Sequence, residues 1–237
     1  MKYKAVIFDM DGTLLDTLDD LADSTNFALG SMGFPQRTKA EIKAFVGNGV
    51  ERLISLSVPR SISKEDKQKC IEIFKAHYAE NSRNKTKPYE GILELLKLLK
   101  KKKIKTGVVS NKYQPALIKL CTEFFEELID FAVGEKAGVP KKPSPECVYE
   151  CMEKLGCEKQ QTLFIGDSDI DVLTAKNAGL CCVGVLWGFR DENLLKTAGA
   201  GYIVKSPLEI VDIIINSSCS YRTEGLYEGT YDKREST

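Results

Sequence analysis

Short apolar runs alternate along the chain with stretches whose apolar residues repeat at helical spacing. The sequence ILELLKLL at 92–99 has the helical repeat. Ser144-Pro145-Glu146 predicts the start of another helix, with a capping serine and a proline in the first turn. The runs rich in β-forming residues are predicted strands, and they lie at 4–8, 106–110, 131–134, 162–165 and 181–186. Strands that alternate with helices predict an α/β fold with a doubly wound parallel sheet.

Residues 16–84 interrupt this alternation, because they contain several helical patterns and no convincing strand. Thr38 with Glu41 and Ser63 with Asp66 have the spacing of capping boxes, and Gly33-Phe34-Pro35 ends the first helix. We therefore predict a small α-helical cap domain at 16–84, inserted after the first strand. The α/β core would comprise residues 1–15 and 85–215, and a polar C-terminal tail residues 216–237.

Composition and charge narrow the classes of partner. The chain has 237 residues, 34 basic and 34 acidic, so it lacks the broad positive face that nucleic acids or anionic membranes require. A small charged molecule is the expected partner. Its eight cysteines form no paired CxxC motif, which favours reduced thiols and gives little support to a zinc site. The first residues do not resemble a signal peptide, and we expect a cytoplasmic protein without a membrane span.

Two acidic motifs follow directly after predicted strands. Asp9-Met10-Asp11-Gly12-Thr13 follows the first strand, and Gly166-Asp167-Ser168-Asp169-Ile170-Asp171 follows the strand at 162–165. Ligands of open α/β sheets bind at the carboxyl ends of the strands, so Asp9, Asp11 and Asp167 are expected to lie close together. Packed carboxylates repel one another and favour a hard divalent cation such as Mg²⁺.

Aspartates near glycine also shape turns and cap helices. We favour that structural role for Asp16 and Asp20, but not for Asp9 and Asp11, which have no local helix start to cap. Asp169 and Asp171 stand where a helix should begin. Either could be the cap, and only one of them need contact the metal or its waters.

These two motifs, together with Ser110-Asn111 and Lys142-Pro143, resemble the four motifs of the haloacid dehalogenase-like hydrolases in order and spacing, over residues 1 to about 215. A closer likeness to phosphoglycolate phosphatases is less specific. It rests on Phe45-Val46-Gly47-Asn48-Gly49, Pro88-Tyr89-Glu90-Gly91 and Lys142-Pro143-Ser144-Pro145. The resemblance implies a Rossmann-like core with an inserted cap, and a phosphatase that acts on small phosphate esters.

The resemblance also implies roles for individual residues. Asp9 would be the nucleophile that forms an aspartyl phosphate, and Asp11 the general acid and base. Asp9, the backbone carbonyl of Asp11, and Asp167 would hold Mg²⁺. Ser110 would donate a hydrogen bond to a phosphoryl oxygen, and Lys142 would neutralise charge on the transferring group. An ordinary strand-end residue at 110 and a solvated lysine at 142 are the competing interpretations.

Substrate contacts are expected from Asn111 and from the loop Gly47-Asn48-Gly49, although that loop is equally compatible with a plain turn between helices. The presence of Asp11 favours phosphate chemistry over dehalogenation. A sugar phosphomutase or a pyrophosphatase stays open, as does a binding module that has lost the reaction. Related mutases carry a histidine early in the cap, where this chain has Leu18, Leu21 and Ala22. The oligomeric state, monomer or homodimer, is also open.

Overall fold

The computed structural model describes residues 3–216, in which strands and helices alternate over most of the length. The strands are β1 (Ala5–Phe8), β2 (Leu15–Asp16), β3 (Lys87–Pro88), β4 (Lys105–Tyr113), β5 (Phe131–Glu135), β6 (Thr162–Gly166), β7 (Cys181–Val185) and β8 (Tyr202–Val204). The helices are α1 (Leu18–Ser31), α2 (Lys39–Phe45), α3 (Gly49–Ser57), α4 (Lys64–Asn81), α5 (Ile92–Lys101), α6 (Gln114–Phe125), α7 (Glu146–Leu155), α8 (Asp169–Ala178), α9 (Glu192–Ala198) and α10 (Glu209–Asn216).

Six of the strands within residues 3–216 form a parallel sheet in the order β5-β4-β1-β6-β7-β8. The α/β prediction is therefore confirmed. Side chains of the central strand β1 alternate between two apolar layers, Val6 and Phe8 on one face and Ala5 and Ile7 on the other. Helices α5, α6 and α10 cover the first face, and α7, α8 and α9 cover the second. Burial on both faces explains why β1, β6 and β7 are almost entirely apolar.

Helices α1 to α4 occupy the predicted insertion and pack around an apolar cluster of their own, which includes Leu29, Ile54 and Phe74. The chain enters and leaves this group through β2 and β3, which pair antiparallel with Leu15 opposite Pro88 and Asp16 opposite Lys87. Asp20 accepts hydrogen bonds from the backbone N–H groups of Lys85 and Thr86, so it has a structural role. The sequence did not predict this short pair of strands.

The predicted helix starts differ in outcome. Thr38 and Glu41 form a full capping box, and the Ser63 hydroxyl accepts a hydrogen bond from the Asp66 N–H. The prediction that Ser144 caps α7 is wrong, because its N–H donates to Lys141 O in a preceding turn and Pro145 takes the cap position.

Two wider expectations concern membranes and the C-terminus. Among the described residues, helices that combine the length and apolarity of a membrane span are not found. The predicted tail at 216–237 begins at the last residue of α10, and residues 217–237 lie outside the described part of the chain.

Candidate active site

Asp9 is the first residue after β1, and its position is fixed from both sides. Its N–H donates a hydrogen bond to Ile165 O of β6 at 2.9 Å. Its Oδ1 lies 2.7 Å from Lys142 Nζ, and both side chains are buried. The structure therefore brings the predicted nucleophile and the predicted cation into direct contact, and Lys142 is not a solvated surface lysine.

Asp167 follows β6 and is held beside Asp9. Its carboxylate accepts hydrogen bonds from Thr13 Oγ1 at 3.2 Å and from Phe189 N at 2.7 Å. Gly12, with φ of +90°, and Gly188 both pack so tightly against Asp167 that a Cβ atom at either position would collide with its side chain. The close approach of two backbone segments fixes this carboxylate.

Asp171, and not Asp169, completes the acidic cluster. Carboxylate oxygens of Asp9, Asp167 and Asp171 lie within 4.8 Å of one another. Ser168 is the N-cap of α8, and Asp171 completes its capping box. Asp171 Oδ2 accepts a hydrogen bond from Ser168 N, while its Oδ1 lies 2.7 Å from Lys142 Nζ. Neither aspartate is therefore the N-cap residue, and Asp171 is the one that contacts the site.

Burial sets the electrostatics of this cluster. It raises the pKa of Asp9 to about 6, against the opposing charge of Lys142. It raises the pKa of Asp167 to about 8, with further increases from Asp171 and Asp9. Burial by itself would lower the pKa of Lys142, but the carboxylates of Asp171 and Asp9 raise it above its usual value. Three buried carboxylates, of which only Asp9 and Asp171 contact the ammonium of Lys142, form a donor set that fits a hard divalent cation such as Mg²⁺.

The carboxylate of Asp11 lies outside this cluster. It accepts hydrogen bonds from Lys112 Nζ at 2.8 and 3.1 Å, and the lysine also lies 4.6 Å from the centre of the Tyr78 ring. The backbone metal contact expected of Asp11 stays a prediction. Sequence reasoning missed Lys112. It directly follows the predicted pair Ser110-Asn111, and that adjacency would have been a usable signal.

Ser110 and Asn111 lie near the end of β4, beside the cluster. The Ser110 hydroxyl is buried and accepts a hydrogen bond from Lys112 N at 3.3 Å. Asn111 Nδ2 donates to Gly47 O at 3.1 Å and to Lys142 O at 3.0 Å. Asn111 therefore links the loop after α2 with the backbone of Lys142.

A cavity of about 210 Å³ lies between the sheet edge and the helices α1 to α4. Asp9, Asp11 and Ser110 line its polar end. Gly47 and Gly49 also line it, whereas Asn48 faces a separate surface depression. Much of the remaining wall is apolar and comes from the helices, including Leu21, Val50, Leu53, Phe74 and Tyr78. The cavity suits a small ligand with one anionic end.

Arg190, for which the sequence suggested no role, joins the core to the end of α2. Its Nη1 donates to Lys43 O at 2.8 Å, and its Nη2 donates to Val46 O at 2.7 Å and to Ala44 O at 3.3 Å. Together with Asn111, this side chain holds the 43–47 segment over the cavity.

Comparisons with known proteins agree with this geometry. Residues 6–185 match the family model described as haloacid dehalogenase-like hydrolase. A phosphoglycolate phosphatase of Aquifex aeolicus (strain VF5) is 33% identical over 80% of this chain and 88% of its own, and one of Vibrio vulnificus (strain YJ016) is 28% identical over 92% and 98%. A solved structure from Lactobacillus delbrueckii subsp. bulgaricus, provisionally assigned as a phosphoglycolate phosphatase, is 37% identical over 92% of this chain and all of its own, with a TM-score of 0.86.

Proposed function

Because this chain belongs to the haloacid dehalogenase-like hydrolases, we propose that it hydrolyses a small phosphate monoester, 2-phosphoglycolate, with Asp9 as the nucleophile. The observation that carries the proposal is the Asp9–Lys142 contact of 2.7 Å beside Asp167, at the polar end of a small cavity. We infer the substrate from the similar proteins, which are named phosphoglycolate phosphatases.

The reaction would proceed in two displacements. The carboxylate of Asp9 attacks phosphorus, the bond from phosphorus to the ester oxygen breaks, and Asp11 gives its proton to the leaving alcohol. Asp11 then takes a proton from a water molecule as that water attacks the aspartyl phosphate. This second step releases inorganic phosphate, regenerates the Asp9 carboxylate and returns the proton to Asp11.

Lys142 and Ser110 would stabilise the charge that develops on the phosphoryl oxygens. Lys142 suits this role because its raised pKa keeps it protonated, while Asp171 holds its Nζ at 2.7 Å. The Ser110 hydroxyl can donate its own proton to the phosphoryl group, since its hydrogen bond with Lys112 N uses it only as an acceptor.

Asp9 and Asp167 would hold Mg²⁺, together with the backbone carbonyl of Asp11. When bound, the ion supplies the positive charge that the acidic cluster lacks and lowers the repulsion between the nucleophile and an anionic phosphate. Asp171, which is already engaged by Lys142 and the start of α8, would act by holding Lys142 in place.

Helices α1 to α4 would serve as a cap over the site, as the insertion at 16–84 suggests. Their apolar side chains line much of the cavity, so a closed cap would exclude water until the aspartyl phosphate has formed. The segment 43–47, held by Arg190 and Asn111, would then be one closing contact.

The test is release of inorganic phosphate from a panel of 2-phosphoglycolate, sugar phosphates, nucleoside monophosphates and pyrophosphate, with Mg²⁺ and with EDTA. We expect 2-phosphoglycolate to be a preferred substrate and EDTA to abolish release. Asp9→Asn should lower kcat at least about 10³-fold, whereas Asp169→Asn, a half-exposed aspartate of the same motif, should leave it nearly unchanged.

Other results would contradict the proposal. Movement of phosphate between positions of one sugar, with little release, indicates a mutase, and preferred cleavage of pyrophosphate indicates a pyrophosphatase. Absence of turnover across the whole panel indicates a binding module.

A further inference from the structure

We propose that Lys112 binds the carboxylate of the leaving alcohol, so that the site selects phosphate esters of short 2-hydroxy acids. This inference rests on the proposed function and assigns its substrate recognition to one side chain. Lys112 lines the cavity, is buried, and belongs to the same strand as Ser110.

The position of Lys112 relative to Asp11 carries the argument. Asp11 is the proposed proton donor to the ester oxygen, and Lys112 Nζ lies 2.8 and 3.1 Å from its two carboxylate oxygens. In an ester of a 2-hydroxy acid, the carboxylate is separated from that ester oxygen by a single carbon atom. A substrate placed for protonation by Asp11 therefore brings its carboxylate within reach of the ammonium.

The donor capacity of Lys112 permits this second contact. An ammonium has three N–H donors, and the two Asp11 oxygens account for two of them. Tyr78 is the other neighbour of the ammonium: its ring centre lies 4.6 Å from Nζ, and its hydroxyl is a neutral acceptor for the third N–H. An ionised carboxylate forms the stronger hydrogen bond and would take that donor.

The other residues that line the cavity explain why Lys112, and not another lysine, would bind the substrate carboxylate. The wall from the helices is largely apolar, and an anion in such surroundings requires a buried counterion. Lys75 and Lys119 also line the cavity, but both are exposed, and Lys119 Nζ donates to Ala79 O at 2.6 Å. Lys142 contacts Asp9 and Asp171, so it lies where the phosphoryl group would be and not beside Asp11. Lys112 is thus the buried cation at the end of the cavity where the leaving alcohol would lie.

The test compares kcat/KM for 2-phosphoglycolate with kcat/KM for 2-phosphoglycolamide, in which a neutral amide replaces the carboxylate. We expect the Mg²⁺-loaded wild type to prefer the carboxylate at least tenfold, and Lys112→Gln to lose that preference. Lys112→Arg should keep most of it. Lys119→Gln, which removes the same charge from the exposed rim of the cavity, should keep all of it.

The ratio of the two kcat/KM values is measured on one enzyme sample, so it does not depend on how much of a variant is folded. If Lys112→Gln slows both esters equally and the ratio is unchanged, Lys112 only holds Asp11 and the proposal is overturned. Should that variant fail to fold, a wild-type ratio near one overturns it as well. Release of phosphate from neither ester by the wild type, while other monoesters are hydrolysed, would instead refute the proposed substrate and this inference with it.

Discussion

The surroundings of Asp167 lead us to expect that the stability of the protein depends on pH. It is buried between Gly12 and Gly188 and lies near two other carboxylates, and the one lysine of the cluster contacts Asp9 and Asp171 instead. The folded protein therefore holds a proton on Asp167 that the unfolded chain releases, since burial raises its pKa from 3.8 to about 8. Asp9, with a pKa of about 6, adds to the effect.

We expect the metal-free protein to lose stability as pH rises from about 4 to about 8. Across this window the folded state binds more protons than the unfolded state, so the free energy of unfolding falls with increasing pH. Each proton contributes about 1.4 kcal/mol per pH unit, which makes the slope steepest below the pKa of Asp9. Mg²⁺ should reverse the loss, and by more at pH 8 than at pH 5, because it binds the deprotonated cluster.

The measurement is urea unfolding in EDTA and in Mg²⁺ at several pH values. Asp167→Asn should flatten the dependence in EDTA, because the amide does not titrate. Metal-free stability that climbs steadily between pH 5 and pH 8 would contradict the expectation.

At the scale of elements, the turn after β1 decides whether the acidic cluster can form. Gly12 has φ of +90° and its Cα hydrogen faces the Asp167 carboxylate. Gly12→Ala should destabilise the fold and displace Asp167, so we expect a weaker stabilisation by Mg²⁺ as well. Gly199 is a matched control, because its φ of +98° carries similar backbone strain. Within residues 3–216, the position that its added methyl group would take has open space around it.

The comparison uses urea unfolding of both variants with and without Mg²⁺. Backbone strain should cost each variant roughly 1–2 kcal/mol, and the collision should cost Gly12→Ala roughly 1–3 kcal/mol more. Equal losses, with an equal response to Mg²⁺, would show that the contact with Asp167 is unimportant.

The strands show which elements can be predicted from the sequence. Strands β1, β6 and β7 were predictable because they are fully buried and therefore almost entirely apolar. In β4 and β5 the apolar segments were the signal, and the polar end of β4 at 111–113 lay outside the predicted strand. The strands that were missed, β2, β3 and β8, have two or three residues, too few for any periodicity.

Some contacts of the site residues were predictable from the sequence, and others were not. The proximity of Asp9 to Asp167 was predictable, because both follow neighbouring strands of a parallel sheet. The contact of Lys112 with Tyr78 was not, because it depends on how α4 packs over the sheet edge. The contact of Asp171 with Lys142 was not predictable either. Both Asp169 and Asp171 suit the first turn of a helix, so the sequence does not show which of them faces the lysine.

For the whole molecule, polar contacts add to apolar packing in holding the helices α1 to α4 on the sheet. Arg190 donates hydrogen bonds to three carbonyl groups at the end of α2, and opening of the proposed cap breaks them. Arg190→Gln should shift the balance between closed and open forms by roughly 1–3 kcal/mol. A smaller closed fraction lowers the apparent affinity for substrate, so KM should rise severalfold while kcat is kept or increased.

Steady-state kinetics with 2-phosphoglycolate provides the measurement, and Arg60→Gln, an exposed arginine of the same helical group, is the control. A fall in kcat at constant KM would argue against a closing role for Arg190 and place it with the groups that stabilise the reacting phosphate.

The side-by-side pairing of β2 with β3 has a consequence for how such a protein can diversify. The ends of the intervening stretch meet at Leu15 and Pro88, so the distance that it must bridge is the same whatever its length. Mutation, shortening or replacement of that stretch can therefore proceed without moving the carboxylates on the sheet. Natural variants of this chain should therefore differ more in the helices between β2 and β3 than at the carboxylates on the sheet.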